Sequence, residues 1–132
     1  MNLIVCIDEM GGMSFGGRRC SRDSAVCSDI KLQCLGAKIH MNAYSARLLG
    51  EKKNMVVDES PLTAAGQGEY CFIENLPAGD CEGVEMLIIY RWNRRYPADN
   101  FLKADLADWK LISSRDFPGS SHENITKEVY MK

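Results

Sequence analysis

Histidine is nearly absent from this chain of 132 residues, which has two, His40 and His122. They lie far apart, and none of the six cysteines forms a C-x-x-C pair, so no zinc-binding pattern is visible. Apolar runs are short as well, since none approaches the roughly 20 residues that a membrane-spanning helix needs. The net charge of -2 shows no excess of positive charge. We therefore expect no global attraction to nucleic acid.

The chain is long enough for one domain with its own core, because 45% of its residues are apolar. We expect a single domain over residues 1–132. The first apolar segment, residues 3–7, is too short for the core of a signal peptide, and Asp8 and Glu9 follow it at once. A cytoplasmic location is therefore expected. The cysteines should stay reduced there, mostly as small core residues.

The most informative stretch covers residues 84–99, VEMLIIYRWNRRYPAD. Its apolar run, residues 86–90, is typical of a strand buried on both faces, although a buried helical segment gives the same pattern. Gly83 before the run and the polar residues after it favour the strand. The densest positive charge of the chain follows, interleaved with aromatic side chains: Arg91, Trp92, Arg94, Arg95 and Tyr96.

The rest of the chain alternates strands with short helices. A glycine-rich loop is expected at residues 10–19, followed by a helix that Ser21 caps and that ends near Gly36. A second short helix is expected at residues 42–49. Further strands are predicted at residues 2–7, 37–41, 53–58, 69–74, 109–114 and 125–131. This order indicates an α/β class with a mostly parallel sheet and an antiparallel pair at the C-terminus.

The order of these elements resembles that of dihydrofolate reductase. The opening strand and the loop with GGM resemble the family's first strand and mobile active-site loop. AKIHMNAYSARLLG resembles its second strand and the helix after it, and KKNMVVDES resembles its next strand. ADNFLKADLADWKLISS resembles the region that leads to its late strand. The resemblance implies a dihydrofolate reductase-like fold, with a mostly parallel central sheet, flanking short helices and a C-terminal antiparallel pair.

Three departures from the family pattern bear on function. The family has paired glycines after its cofactor-binding strand, where this chain has Glu74 and Asn75. A carboxylate there repels a pyrophosphate, and side chains block its close approach. The connector at residues 60–68 is shorter than the family's adenosine-flanking segment, and no tryptophan precedes Trp92. We therefore expect NADPH-dependent reductase activity to be lost, and we expect no cofactor.

Five residues are candidate ligand-binding residues. Asp23 is the only acid near the position where the family carries one close to the pterin; the alternative is a carboxylate favoured by the helix dipole. Arginine side chains suit phosphates and carboxylates, and a neighbouring tryptophan can stack on a ring. The alternative for the charged stretch is a solvated loop with surface ion pairs. The other four candidates are Arg91, Trp92, Arg94 and Arg95.

Two C-terminal features invite other interpretations. RWNRRYPAD and FPGSSHE-x-ITKEVY are similar to stretches of small uncharacterised proteins of clostridia-like bacteria, some of them labelled ribonuclease Z. That nuclease needs an H-x-H-x-D-H metal motif, which two lone histidines do not supply. Within PGSSHE, Ser120, Ser121 and His122 are adjacent, which is poor geometry for a nucleophile and its base. A hairpin loop is favoured there.

The sequence thus predicts a binding or regulatory module for a small anionic ligand, pterin- or nucleotide-like, rather than an enzyme. One alternative is a minimal reductase with a differently seated cofactor. Another is an RNA-binding protein that uses the RWNRRY stretch. No membrane partner is expected, and nucleic acid would bind only through this local basic patch. The oligomeric state stays open.

Overall fold

A seven-stranded sheet and a smaller three-stranded sheet organise the chain. The computed structural model describes residues 1–50 and 52–132. In chain order the elements are β1 (Asn2–Ile7), β2 (Gly12–Phe15), β3 (Arg18–Arg19), α1 (Ser24–Gln33), β4 (Ile39–Met41), α2 (Ala43–Leu49), β5 (Met55–Val57), α3 (Pro61–Ala64), β6 (Tyr70–Phe72), β7 (Met86–Arg91), β8 (Asn100–Phe101), a 3-10 turn (Leu106–Asp108), β9 (Lys110–Phe117) and β10 (Ile125–Met131).

The seven-stranded sheet has the order β5-β4-β6-β1-β7-β10-β9. β1 lies at its centre and pairs in parallel with β6 and β7. β4 pairs in parallel with β5 and β6, whereas β10 runs antiparallel to β7 and β9. The predicted α/β class, with a mostly parallel sheet and a C-terminal antiparallel pair, is confirmed. No helix in the described residues is long and apolar enough to cross a membrane.

The central strands carry the core on both faces of the sheet. Leu87 and Ile89 of β7 pack on one face, and Ile88 and Tyr90 pack on the other. This alternation follows from the two-residue repeat of a strand, and it explains why residues 86–90 form an unbroken apolar run. α1 and α2 contribute to the second core through Val26, Ile30, Cys34 and Leu49.

The glycine-rich segment at residues 10–19 contains a β-hairpin, so the loop prediction is wrong for most of its length. β2 and β3 pair antiparallel across Gly16 and Gly17, whose φ angles of 58° and 77° suit a tight hairpin turn. β2 also pairs with β8, more than 80 residues along the chain. Strands of two to four residues have too few positions to show a periodic pattern, so sequence alone does not reveal them.

The first helix begins later than predicted, and Asp23 caps it in place of Ser21. The Asp23 side chain accepts a hydrogen bond from the Ala25 N–H at 2.9 Å, and its backbone is extended, with φ -156° and ψ 127°. Serine and aspartate are equally good caps, so residue type alone does not choose between them. The connector at residues 60–68 contains one short helix, α3.

Candidate functional site

A buried carboxylate, Asp23, organises the candidate site. It has 3% of its surface exposed. Oδ1 accepts hydrogen bonds from the N–H groups of Ala25 and Ser120 and from the Ser120 hydroxyl. Oδ2 accepts from the N–H and hydroxyl of Ser121 and from Nδ1 of His122, which lies 2.9 Å away. Burial by itself raises the pKa of Asp23, but these hydrogen bonds hold that pKa well below its usual range.

The imidazole of His122 is fixed on both nitrogens and on one face. Nδ1 faces Asp23, whose carboxylate can only accept, so we place the ring proton on Nδ1. Nε2 is then an acceptor, and the hydroxyls of Ser21 and Tyr96 both lie 3.0 Å from it. Trp92 stacks on the ring, with centroids 4.7 Å apart and planes inclined by 23°. The ring therefore has one defined orientation and one defined tautomer.

Two of the five predicted site residues, Asp23 and Trp92, thus meet at His122. Both are buried, with 3% of each exposed. Neither carboxylate oxygen of Asp23 lacks a donor, because each accepts three hydrogen bonds within the protein. Asp23 therefore caps the helix, a role that the sequence analysis gave to Ser21, and it also makes a contact to His122 that the sequence does not reveal.

The three predicted arginines have different environments. Arg91 ends β7, and its Nε lies 2.5 Å from a carboxylate oxygen of Glu128. Arg94 and Arg95 are exposed, and neither forms an ion pair within the described residues. Arg22 is exposed and unpaired in the same sense. Two unpaired guanidinium groups of the predicted stretch, with a third from the start of α1, remain available to an anion.

A second buried carboxylate, Glu74, lies at the end of β6 with 5% of its surface exposed. Arg19 binds it with two nitrogens, Nε at 2.7 Å and Nη2 at 3.0 Å. The Ser45 hydroxyl donates to the same carboxylate at 2.8 Å. The Arg19 guanidinium also lies over the Tyr44 ring, 4.2 Å from its centroid. This two-point ion pair is typical of arginine and carboxylate, and here it is largely buried.

Further contacts fasten the β2–β3 hairpin onto the carboxyl end of the sheet. The backbone N–H of Arg19 donates to the Tyr44 hydroxyl at 3.0 Å. Asn75 donates from its side chain to the Gly17 carbonyl at 3.1 Å and accepts from the Asn42 side chain at 2.9 Å. The hairpin is therefore tied both to α2 and to the residues after β6.

A small cavity lies between the two carboxylate networks. It has about 10 Å³ of space open to water-sized molecules, enough for about one water molecule. Its lining is mostly apolar, with four polar or charged side chains: Ser21, Arg22, Asp23 and Glu74. The lining includes Ser21, Asp23, Cys27, Phe72, Glu74 and Trp92.

No group of three or more histidine, cysteine or acidic side chains in residues 1–50 and 52–132 is arranged to hold a metal ion. The ribonuclease Z label considered in the sequence analysis has no support in these residues. The two histidines have separate partners, since His40 contacts Glu69 at 2.8 Å and His122 contacts Asp23.

Sequence reasoning missed the cluster around His122. It considered His122 as a base only for the adjacent Ser120 and Ser121. The hydroxyls of these two serines contact Asp23 instead. The serine hydroxyl that reaches Nε2 belongs to Ser21, 101 positions away in the chain, and the Tyr96 hydroxyl lies at the same distance. A serine two positions before a helix-capping aspartate was visible in the sequence, but only the fold brings the pair to the histidine.

Comparisons with known proteins support the fold. No protein-family model matches this chain, and no curated protein matches it significantly. Among solved structures the chain is similar to a dihydrofolate reductase from Enterococcus faecalis, complexed with NADP(H) and RAB-propyl, with a TM-score of 0.70 and 10% identity. The match covers 98% of this chain and 94% of that chain. The chain therefore has a dihydrofolate reductase-like fold, as the order of its elements predicts; at this identity the similarity shows the fold alone.

Proposed function

We propose that this dihydrofolate reductase-like domain has lost NADPH-dependent reductase activity and binds a small anionic ligand, pterin- or nucleotide-like. The observation that carries the loss is the buried carboxylate of Glu74 at the end of β6. A dinucleotide phosphate needs backbone N–H groups and positive charge at such a position, and here it would meet a carboxylate that Arg19 neutralises, with no positive charge in excess. Two of the three guanidinium nitrogens of Arg19 are already bonded to Glu74, and Nη2 also donates to the Tyr44 carbonyl oxygen. These residues do not fit the cofactor.

The closed hairpin supports the same proposal. Arg19 and Gly17 of the β2–β3 hairpin are bonded to Glu74 and Asn75, the residues that stand where the family has its paired glycines. A cofactor lying along this edge would have to break a buried ion pair and displace the hairpin. Breaking such a pair costs about 3–5 kcal/mol, which is comparable to the free energy of weak binding.

Ligand binding is proposed for the arginine-rich edge beside His122. His122 bonds Ser21 and Tyr96, the chain neighbours of Arg22 and Arg95, and so holds the two charged segments together. Ligand sites of open α/β sheets lie beyond the carboxyl ends of the strands, where these segments are found. Unpaired guanidinium groups suit a phosphate or carboxylate, and the backbone segments that carry them are already held together, so only the side chains are ordered on binding.

Calorimetric titration tests both parts of this proposal, with NADPH and with a nucleoside monophosphate as the two probes. We expect the monophosphate to bind and NADPH to give no dihydrofolate-dependent oxidation at high protein concentration. Arg94→Glu combined with Arg95→Glu should weaken monophosphate binding at least about tenfold, the loss expected for one charge-assisted hydrogen bond. Arg47→Glu, an exposed change on α2, is the matched control.

Two outcomes would contradict the proposal. Micromolar NADPH binding with dihydrofolate-dependent oxidation would mean that the reductase activity is retained. Unchanged monophosphate binding in the folded Arg94/Arg95 double variant would mean that these residues are ordinary surface. A single-stranded RNA that binds the wild type with a steep salt dependence would favour the RNA-binding alternative instead.

A further inference from the structure

We infer that Ser21, His122 and Asp23 form a serine–histidine–aspartate triad, with Ser21 as the nucleophile for cleavage of a small carboxylic ester. Ser21 Oγ lies 3.0 Å from His122 Nε2, and His122 Nδ1 lies 2.9 Å from Asp23 Oδ2. A nucleophile within hydrogen-bond reach of a base, itself oriented by a third group, is the arrangement that activates serine. This inference goes beyond the proposed ligand binding and does not rest on it.

Each member of the triad has the environment that its role requires. Asp23 and His122 are buried, whereas Ser21 is partly exposed and can meet a substrate. The Asp23 carboxylate stays ionised and immobile, because six hydrogen bonds hold it. It therefore keeps the imidazole proton on Nδ1 and leaves Nε2 free to accept the proton of Ser21. Asp23 acts through His122 and is a positioning residue.

The other serines near His122 are excluded as nucleophiles. The Ser120 hydroxyl is 3.0 Å from Asp23 Oδ1 and 2.7 Å from the Ser24 hydroxyl. The Ser121 hydroxyl lies 3.2 Å from Nδ1. That nitrogen carries a proton, which it donates in a hydrogen bond to Asp23, so it cannot act as a base for Ser121. Of Ser21, Ser120 and Ser121, Ser21 alone combines partial exposure with contact to Nε2.

The surroundings of Ser21 indicate a small substrate. The cavity that Ser21 lines holds about 10 Å³ of water-sized space, so a long acyl chain does not enter it. The acyl carbon must therefore approach from the solvent side. The backbone N–H of Arg22, directly after the nucleophile, has no protein acceptor among the described residues. It is the donor best placed in sequence to stabilise the oxyanion.

The reaction follows in two balanced halves. Ser21 Oγ attacks the ester carbonyl carbon while its proton passes to His122 Nε2; the tetrahedral intermediate then expels the alcohol, which takes that proton. Water attacks the acyl-serine in the same way, giving its proton to Nε2, and the Ser21 oxygen recovers a proton as the acid leaves. The sum is ester plus water giving acid plus alcohol, with no oxidant or second reactant.

The position of Tyr96 predicts a second effect on the acylation rate. Its hydroxyl lies 3.0 Å from Nε2, at the same distance as that of Ser21. The two hydroxyls therefore compete as donors to one acceptor. Tyr96→Phe should raise the acylation rate roughly twofold, because Ser21 then has the nitrogen to itself. A purely structural role for Ser21 gives no such increase.

The test uses p-nitrophenyl acetate with the full chain. We expect a burst of nitrophenolate that approaches one equivalent, with the acetyl group mapped to Ser21 by peptide mass spectrometry. Ser21→Ala should lower the burst rate by on the order of a hundredfold or more, the contribution expected of a base-activated nucleophile. Ser28→Ala, an exposed serine on α1, should behave as wild type.

Asp23→Asn should lower the acylation rate constant without changing KM, because the asparagine no longer holds the tautomer. If that variant fails to fold, Ser21→Ala and Tyr96→Phe still decide the matter, with circular dichroism as the check on their folding. Acetylation confined to lysines or the N-terminus, a full burst from Ser21→Ala, or no burst from the wild type would each overturn the triad.

Discussion

Asp23 and His122 lie 99 positions apart in the chain, yet Oδ2 of one is 2.9 Å from Nδ1 of the other. The contact joins the start of α1 to the turn between β9 and β10. Ser120 and Ser121 of that turn give their backbone N–H groups to the same carboxylate. One buried charge therefore caps a helix, satisfies a turn and orients an imidazole, so its removal should affect stability more than an ordinary helix cap.

The first prediction concerns acid stability. Burial opposes ionisation of Asp23, but its hydrogen bonds prevail and hold its folded pKa below the unfolded value of about 3.9. The stabilising contribution is therefore complete above about pH 5 and declines as the pH falls further. Asp23→Asn should be less stable than wild type at pH 7, and this gap should narrow toward pH 3. Urea unfolding midpoints across that range measure it.

Asp108→Asn provides the comparison, because Asp108 is exposed. Its unfolding free energy should stay within about 0.5 kcal/mol of wild type at neutral pH. A gap between wild type and Asp23→Asn that stays constant from pH 7 to pH 3 would show that Asp23 is not held below its usual pKa.

The second prediction concerns Gly119, which packs against the Asp23 carboxylate. A Cβ at this position would lie 2.5 Å from Asp23 Oδ2 and 2.8 Å from the His122 carbonyl oxygen. Asp23 Oδ2 cannot withdraw without losing hydrogen bonds, and the His122 oxygen belongs to the backbone, so Gly119→Ala should destabilise the fold by about 2–3 kcal/mol. Gly66→Ala is the control, because a Cβ at that position would come no closer than 3.4 Å to another atom, the Glu69 Oε1. Equal unfolding midpoints for the two variants would contradict the close packing around Asp23.

The fold was largely predictable because its strongest elements are periodic. β10 occupies residues 125–131, as predicted from its alternating side chains. Its burial does not follow that alternation, since the two buried residues, Ile125 and Tyr130, lie on opposite faces of the strand. β7 contains the apolar run at residues 86–90, because a central strand is buried on both sides. The β2–β3 hairpin was missed, since its pairing with β8 and the Arg19 contact with Glu74 are made by residues distant in sequence.

The site was predictable only in part, for the same physical reason. Asp23 and Trp92 were chosen from local context and do lie together, but the residue that joins them is His122. Its partner Ser21 lies 101 positions away in the chain. A contact between such distant residues produces no local pattern in the sequence. Adjacent residues drew attention instead, and Ser121 beside His122 contacts the nitrogen that is already protonated.

The third prediction concerns the cysteines, all six of which are free thiols in the described residues. Burial raises the pKa of Cys34 and of Cys71 to about 12, and it also raises that of the buried Cys81. The reactive thiolate is therefore nearly absent at neutral pH. Iodoacetamide should leave these three unmodified in the native protein and modify them after unfolding, as peptide mass spectrometry will show. Labelling of all three within minutes in the native state would contradict their burial.

The last prediction concerns Arg19 and Glu74, the ion pair that fastens the hairpin to β6. Arg19→Ala leaves a buried carboxylate with the Ser45 hydroxyl as its remaining side-chain donor. Removing one partner of a buried pair costs about 3–5 kcal/mol, and we expect the lower end because the Arg19 side chain is 18% exposed. Glu74→Gln added to Arg19→Ala removes the unpaired charge, so the double variant should recover part of the lost stability.

A four-protein cycle of urea unfolding measures this coupling between Arg19 and Glu74, which we expect to be about 1–3 kcal/mol. Arg115→Ala is the matched control. The Arg115 side chain forms an ion pair with Asp29 but is itself 54% exposed. Exposed pairs contribute about 0–1 kcal/mol, so this control should lose little stability. If the double variant is as unstable as the sum of the single changes, the two side chains act independently. The hairpin is then held by its backbone contacts, and the ion pair presents no barrier to a dinucleotide.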